Sequence, residues 1–147
     1  MAQEDNSPLD NFPLPVKPHG FSERYRFPED LTRLSNTEIG QWMSRLAAYR
    51  GYVLSIYARS EFKRKGDEVK LRIVRAQKQT EIRRNAEKGM TETAVKEAAS
   101  SDPEIIGFEE AVSKAGRNAD FYLTLRDILQ GQIEVLSREL SRRSMVE

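Results

Sequence analysis

Two apolar seams constrain this chain more than any other feature. In the first, apolar side chains recur at Ile39, Trp42, Leu46, Tyr49, Val53 and Ile56, at alternating intervals of three and four. That period keeps all of them on one face of a helix and suits helices that pack lengthwise. Met43, Ala47, Tyr52 and Tyr57 widen the stripe. The second seam runs through Ile105, Phe108, Val112, Ala115, Ala119, Tyr122, Leu129, Ile133, Leu136 and Leu140, broken only at Arg126. Strand patterns are absent, and "YVLSIY" at 52–57 fits the first seam better than a strand.

Local signals set the boundaries. Ser35 followed three residues later by Glu38 is a capping box, with Leu34 and Ile39 in the staple positions around it. Gly66, within "KRKGD", is expected to break or kink the first long helix. Gly89 is expected to end it as the C′ residue. Thr91 caps a short helix, and Asp102 with Pro103 behind it opens the last one. The fold class expected is all-α: a long broken helix, a short linker helix and a long C-terminal amphipathic helix. These assemble as an oligomeric bundle or ring, because one hairpin contact cannot cover both stripes. The domain reading is a Pro-rich extended arm over 1–34 and a single all-α domain over 35–147. Within that domain, 35–88 holds the N-terminal helices with the basic segment, 91–101 the short helix and 103–143 the oligomerising helix. The residues assigned to oligomerisation are Phe108, Val112, Ala115, Ala119, Tyr122, Leu129, Ile133, Leu136 and Leu140.

The arm holds five of the six prolines, so it forms neither a helix interior nor a central strand. Its apolar residues Leu9, Phe12, Leu14, Val16, Phe21, Tyr25 and Phe27 leave two readings open, a solvated tail or a segment docked on the body or on a neighbour. It lacks the basic and apolar regions of a secretory signal. No apolar run reaches the roughly 18 to 20 residues of a spanning helix. Cysteine is absent, which removes disulfides and thiolate metal sites. A cytoplasmic protein is expected, with no membrane partner.

Catalytic chemistry has little to work with. The one histidine, His19, lies in the arm, and no nucleophile elbow, phosphate-binding glycine loop or helix-borne histidine pair is present. An enzyme is not expected, and neither a metal nor a cofactor is implied.

The net charge of +1 conceals an uneven distribution. Residues 59–88 carry eleven Lys or Arg against five acids, while 89–147 carry seven against eleven. Such asymmetry points to an anionic partner. The candidate cations are Lys70, Arg72, Arg75, Lys78, Arg83 and Arg84, with Lys63, Arg64 and Lys65 as a second set. In this reading Val69, Ile73 and Ala76 face the core and the cations face outward. Two uses stay open. The cations neutralise phosphates, in which case binding weakens with salt and is nearly indifferent to base sequence. Alternatively they pair with acids of the C-terminal half, of which Glu104, Glu109, Glu110, Asp120 and Asp127 are candidates. Tyr52, Tyr57 and Phe62 could stack bases of a single strand. Membrane-surface binding fits less well, because the apolar side of the segment offers Val, Ile and Ala rather than Trp or Phe anchors.

The segment "EVKLRIVRAQKQTEIRR", the short helix "TETAVKEAASSDPE" and the long last helix together resemble the UvsY-type recombination mediators of tailed bacteriophages. The similarity covers roughly residues 39–140: Trp42 in the first helix, the Leu71 to Ile73 and Ala76 to Lys78 runs, and the aromatic Phe121 and Tyr122. It implies an all-α ring-forming subunit in a bacterial host's cytoplasm. It also implies binding to single-stranded DNA and help for a RecA-like recombinase in displacing single-strand-binding protein. Arg83 matches the first of the family's DNA-binding basic pair, and the second falls on Asn85, with Arg84 adjacent. The other class of function kept open is a helical assembly or adaptor protein whose basic segment meets acidic protein surfaces.

Overall fold

The computed structural model describes residues 15–18, 26–86 and 89–146. In chain order the elements are a 3-10 turn at Leu31–Arg33, α1 at Asn36–Asn85, α2 at Glu92–Ser100 and α3 at Pro103–Ser144. No strand occurs among the described residues. The chain divides into two compact units, one of 1–58 with 120–147 and the other of 59–119. The arm residues Leu9, Phe12, Leu14, His19, Phe21 and Tyr25 lie outside the described residues.

In the first unit the seams meet as their spacing requires. Ile39, Leu46 and Val53, seven apart on α1, form one buried cluster with Leu129 and Leu136, seven apart on α3. Trp42, Tyr49, Tyr122, Ile133 and Leu140 pack around it. These α3 residues were assigned to contacts between copies. In the structure their partners in this unit come from within the chain, because α1 presents a seam of the same period.

The entry to α1 is tied down. Ser35 Oγ accepts the Glu38 amide at 3.2 Å, and the Glu38 carboxylate accepts the Ser35 amide at 2.7 Å. The arm contributes Phe27, which meets Trp42 edge-on with ring centroids 6.4 Å apart, whereas Val16 is exposed. Arg143, near the end of α3, donates to the carbonyls of Leu34 at 2.7 Å and Leu31 at 2.8 Å, and to Asn36 Oδ1 at 3.0 Å. The end of α3 therefore holds the start of α1, and the two helices run antiparallel in this unit.

In the second unit α1 continues from 59 to 85 without a break. Gly66 does not interrupt it, contrary to the sequence expectation. A single helical glycine costs about 1 kcal/mol against alanine, and ion pairs of Lys63 with Asp67 at 3.0 Å and Arg64 with Glu68 at 2.6 Å span that turn. Gly89 has a φ of 111°, but α1 has already ended at Asn85, so the glycine serves the link to α2 instead. The side chains buried here are Val95 and Ala99 on α2, and Ile105, Ala115 and Ala119 on α3, three of the five being alanine. At Gly116 the aliphatic Cδ of Arg64 lies 3.5 Å from where a Cβ would stand.

The orientation of α1 in this unit departs from the sequence expectation on its apolar side, while Lys70, Arg72, Arg83 and Arg84 are exposed as expected. Val69 and Ile73 are 49% and 51% exposed, and Ala76 is exposed as well. Arg75 and Lys78 turn inward instead. The physical reason is that long cationic side chains cover neighbouring surface with their stems while their heads find acids on α3.

Two substitutions probe these features. Leu136→Ala, at a fully buried site, is expected to cost about 2 to 5 kcal/mol in urea unfolding. Gly66→Ala meets nothing within 4 Å, so it is expected to raise stability by about 0.5 to 1 kcal/mol. A loss on Gly66→Ala would show that the glycine serves a kink.

Candidate nucleic-acid interface

The nine candidate cations sit on one helix but divide into three groups. Arg75, Lys78 and Arg83 form ion pairs with other elements. Arg75 meets Glu109 of α3, Lys78 meets Asp102 at 2.9 Å, and Arg83 meets Glu92 of α2. Lys63 and Arg64 pair within α1, with Asp67 at 3.0 Å and with Glu61 and Glu68 at 2.7 and 2.6 Å. Lys65, Lys70, Arg72 and Arg84 are exposed and form no ion pair with a described residue.

The inward group shapes its own electrostatics. The Lys78 ammonium is held charged beyond its usual range, first by its hydrogen bond to Asp102 and next by that carboxylate's charge. Asp102 is held below the ordinary carboxyl range by Lys78 and by the Glu104 amide that it caps at 2.9 Å. Glu92 is lowered chiefly by Arg83, whose guanidinium is raised in return. The Arg75 Nε is buried with no hydrogen-bond partner, which fits a side chain turned inward.

Of the acids proposed as internal partners, Glu109 is used by Arg75, and Asp127 takes Arg126 beside it. Glu104, Glu110 and Asp120 form no ion pair among the described residues. Sequence reasoning missed Glu92 and Asp102 in this role. Glu92 stands in the first turn of α2 and Asp102 just ahead of α3, where its carboxylate already had a local explanation as a cap. The signal lay in the short link: a nine-residue α2 returns the chain beside the end of α1.

The outward side of this part of α1 has a definite pattern. Phe62, Val69, Ile73 and Ala76 form an exposed apolar stripe. On a helical projection Lys63, Lys70 and Arg84 border it on one side, and Lys65 and Arg72 on the other. Beyond Ala76 a shallow depression is lined by Ala76, Gln77, Thr80, Glu81 and Arg84. Tyr52 and Tyr57 are half-buried in the first unit, so Phe62 is the aromatic side chain in this stripe. No group of His, Cys, Asp or Glu among the described residues is arranged to hold a metal ion. No helix there is long and apolar enough to cross a membrane.

No protein-family model, no curated protein and no solved structure matches the chain.

The inward and outward cations are separable by experiment. Asp102→Ala removes a cap and the partner of Lys78, so its melting temperature at pH 7 is expected to fall further than that of Lys70→Ala. Asp102 is depressed in the folded state, so its contribution is present above its ordinary value of 3.8 and is lost as pH falls through the lower folded value. The gap between the two variants therefore narrows in melts taken progressively below that value. Equal melting temperatures at pH 7 would remove Asp102 from the supports of the fold.

Proposed function

We propose that this chain is a non-enzymatic protein that binds single-stranded DNA on the outward face of α1. The observation that carries the proposal is the row of solvent-facing cations Lys65, Lys70 and Arg72, without an ion pair to a described residue and set around exposed Phe62, Val69 and Ile73. Cations suit the phosphates of a strand, and an aromatic or apolar surface suits its unpaired bases. Arg84 extends the row toward the end of α1, and Lys63 belongs to it because its single ion pair leaves it 68% exposed. Arg75, Lys78 and Arg83 are structural in this proposal.

The resemblance to UvsY-type mediators gives the finer reading. The protein, as a homo-oligomer, helps a RecA-like recombinase assemble on DNA covered by single-strand-binding protein. A second reading, a helical assembly or adaptor protein, is favoured by the ion pairs of Arg75, Lys78 and Arg83 with acids outside α1, which occupy half of the first set of cations within the chain.

A titration of a labelled single-stranded oligonucleotide at several salt concentrations separates the two. In the DNA reading Lys70→Ala and Arg72→Ala each reduce the slope of log affinity against log salt by about 0.7. Arg75→Ala leaves that slope unchanged, because its charge is already neutralised by Glu109. Absence of binding at low salt rules the DNA reading out. Binding without faster recombinase assembly on covered DNA rules out only the mediator role.

A further inference from the structure

A second outward stripe lies on α3. Phe121, Ile128 and Val135, seven residues apart, are 62%, 53% and 44% exposed, although the opposite side of the same helix is buried. Thr124 and Gly131 complete a three-four seam with them. The α1 stripe has the same construction, with Gly66 between Phe62 and Val69. From Phe62 to Ala76 and from Phe121 to Val135 the sequence separation is fourteen residues each, so both stripes are about 21 Å long. A Cβ added at Gly66 or Gly131 would meet nothing within 4 Å, so no contact within the chain requires either glycine.

The borders of the stripes are opposite in charge. Lys63, Lys65, Lys70 and Arg72 edge the α1 stripe, and Asp120, Asp127 and Glu134 edge the α3 stripe on one side. All three acids are exposed, and Asp120 and Glu134 form no ion pair with a described residue. Exposed large apolar side chains at coiled-coil spacing are surfaces that bury themselves against another helix, and charges along the borders set which helix.

We propose that one copy of the chain docks its α3 stripe, Phe121 to Val135, on the α1 stripe, Phe62 to Ala76, of a second copy. The stripes match in length, seam period and charge. The contact is heterologous, since different surfaces meet, so each pair leaves one stripe of each kind open for further copies unless the geometry closes. It does not rest on the DNA reading: it covers the α1 face proposed for DNA, so at any one α1 the two uses exclude one another, and a mass measured without DNA reports on the contact alone.

Charge exchange tests the contact. One variant carries Lys65→Glu, Lys70→Glu and Arg72→Glu. The other carries Asp120→Lys, Asp127→Lys and Glu134→Lys. Mass is read by sedimentation velocity of the full chain at tens of micromolar and low salt, with circular dichroism checking that each variant is helical. The expected result is an assembled parent, two smaller variants, and recovery of assembly on mixing them, since acidic α1 then meets basic α3. A monomeric parent, variants that assemble like the parent, or a mixture that stays dissociated overturns the proposal. Where a variant loses its helical signal, Phe121→Ser with Ile128→Ser replaces it, and undiminished assembly of that protein counts equally against the contact.

Discussion

Three ion pairs decide which way the second half of α1 faces. Arg75 with Glu109 and Lys78 with Asp102 draw one side of the helix toward α3, and the exposed Arg83 ties the end of α1 to Glu92 of α2. The apolar residues between them must then look outward. Pairs at this exposure contribute little individually to stability. Their weight lies in the choice between two orientations of one helix, each able to bury some apolar surface. The buried alanines Ala99, Ala115 and Ala119 are consistent with this choice, because they leave room for the stems of long cations.

The first unit obeys a simpler rule. Buried residues seven apart on α1 meet buried residues seven apart on α3 in an apolar cluster, with the Nε of Arg50 buried in the same unit. Arg143 closes this unit by donating to the carbonyls of Leu34 and Leu31 ahead of α1, the second of which also accepts the Leu34 amide. The difference between the units is one of chemistry along a single helix: an apolar inward seam before residue 59 and a largely charged one after it.

How much of this could be read in the sequence depended on distance along the chain. The all-helical class and the caps at Ser35, Thr91 and Asp102 were legible because they rest on residues at most a few positions apart. The orientation of 69–76 was not. Two faces of that segment carry usable surface, one of Val, Ile and Ala and one of Leu71, Val74 and cation stems, and periodicity alone ranks the apolar one first. Long-range acids reverse the order, and nothing local marks Glu109 as the partner of Arg75. Gly66 was read too strongly, since one glycine cannot outweigh helical turns already formed on both sides. The candidate site shared this fate. Its helix and its charge were visible, while the division of its cations into inward and outward sets was not.

Asp102 gives the second unit a property of a different kind. Its carboxylate serves two masters at once, the first backbone amide groups of α3 and the ammonium of Lys78 on α1. A polyanion that drew Lys78 away would deprive the cap of its counter-charge, and fraying of the first turn of α3 would in turn release Lys78. Such coupling is reciprocal by thermodynamic necessity. Any change that frees Lys78 therefore reaches the first turn of α3, without any rigid-body movement being required.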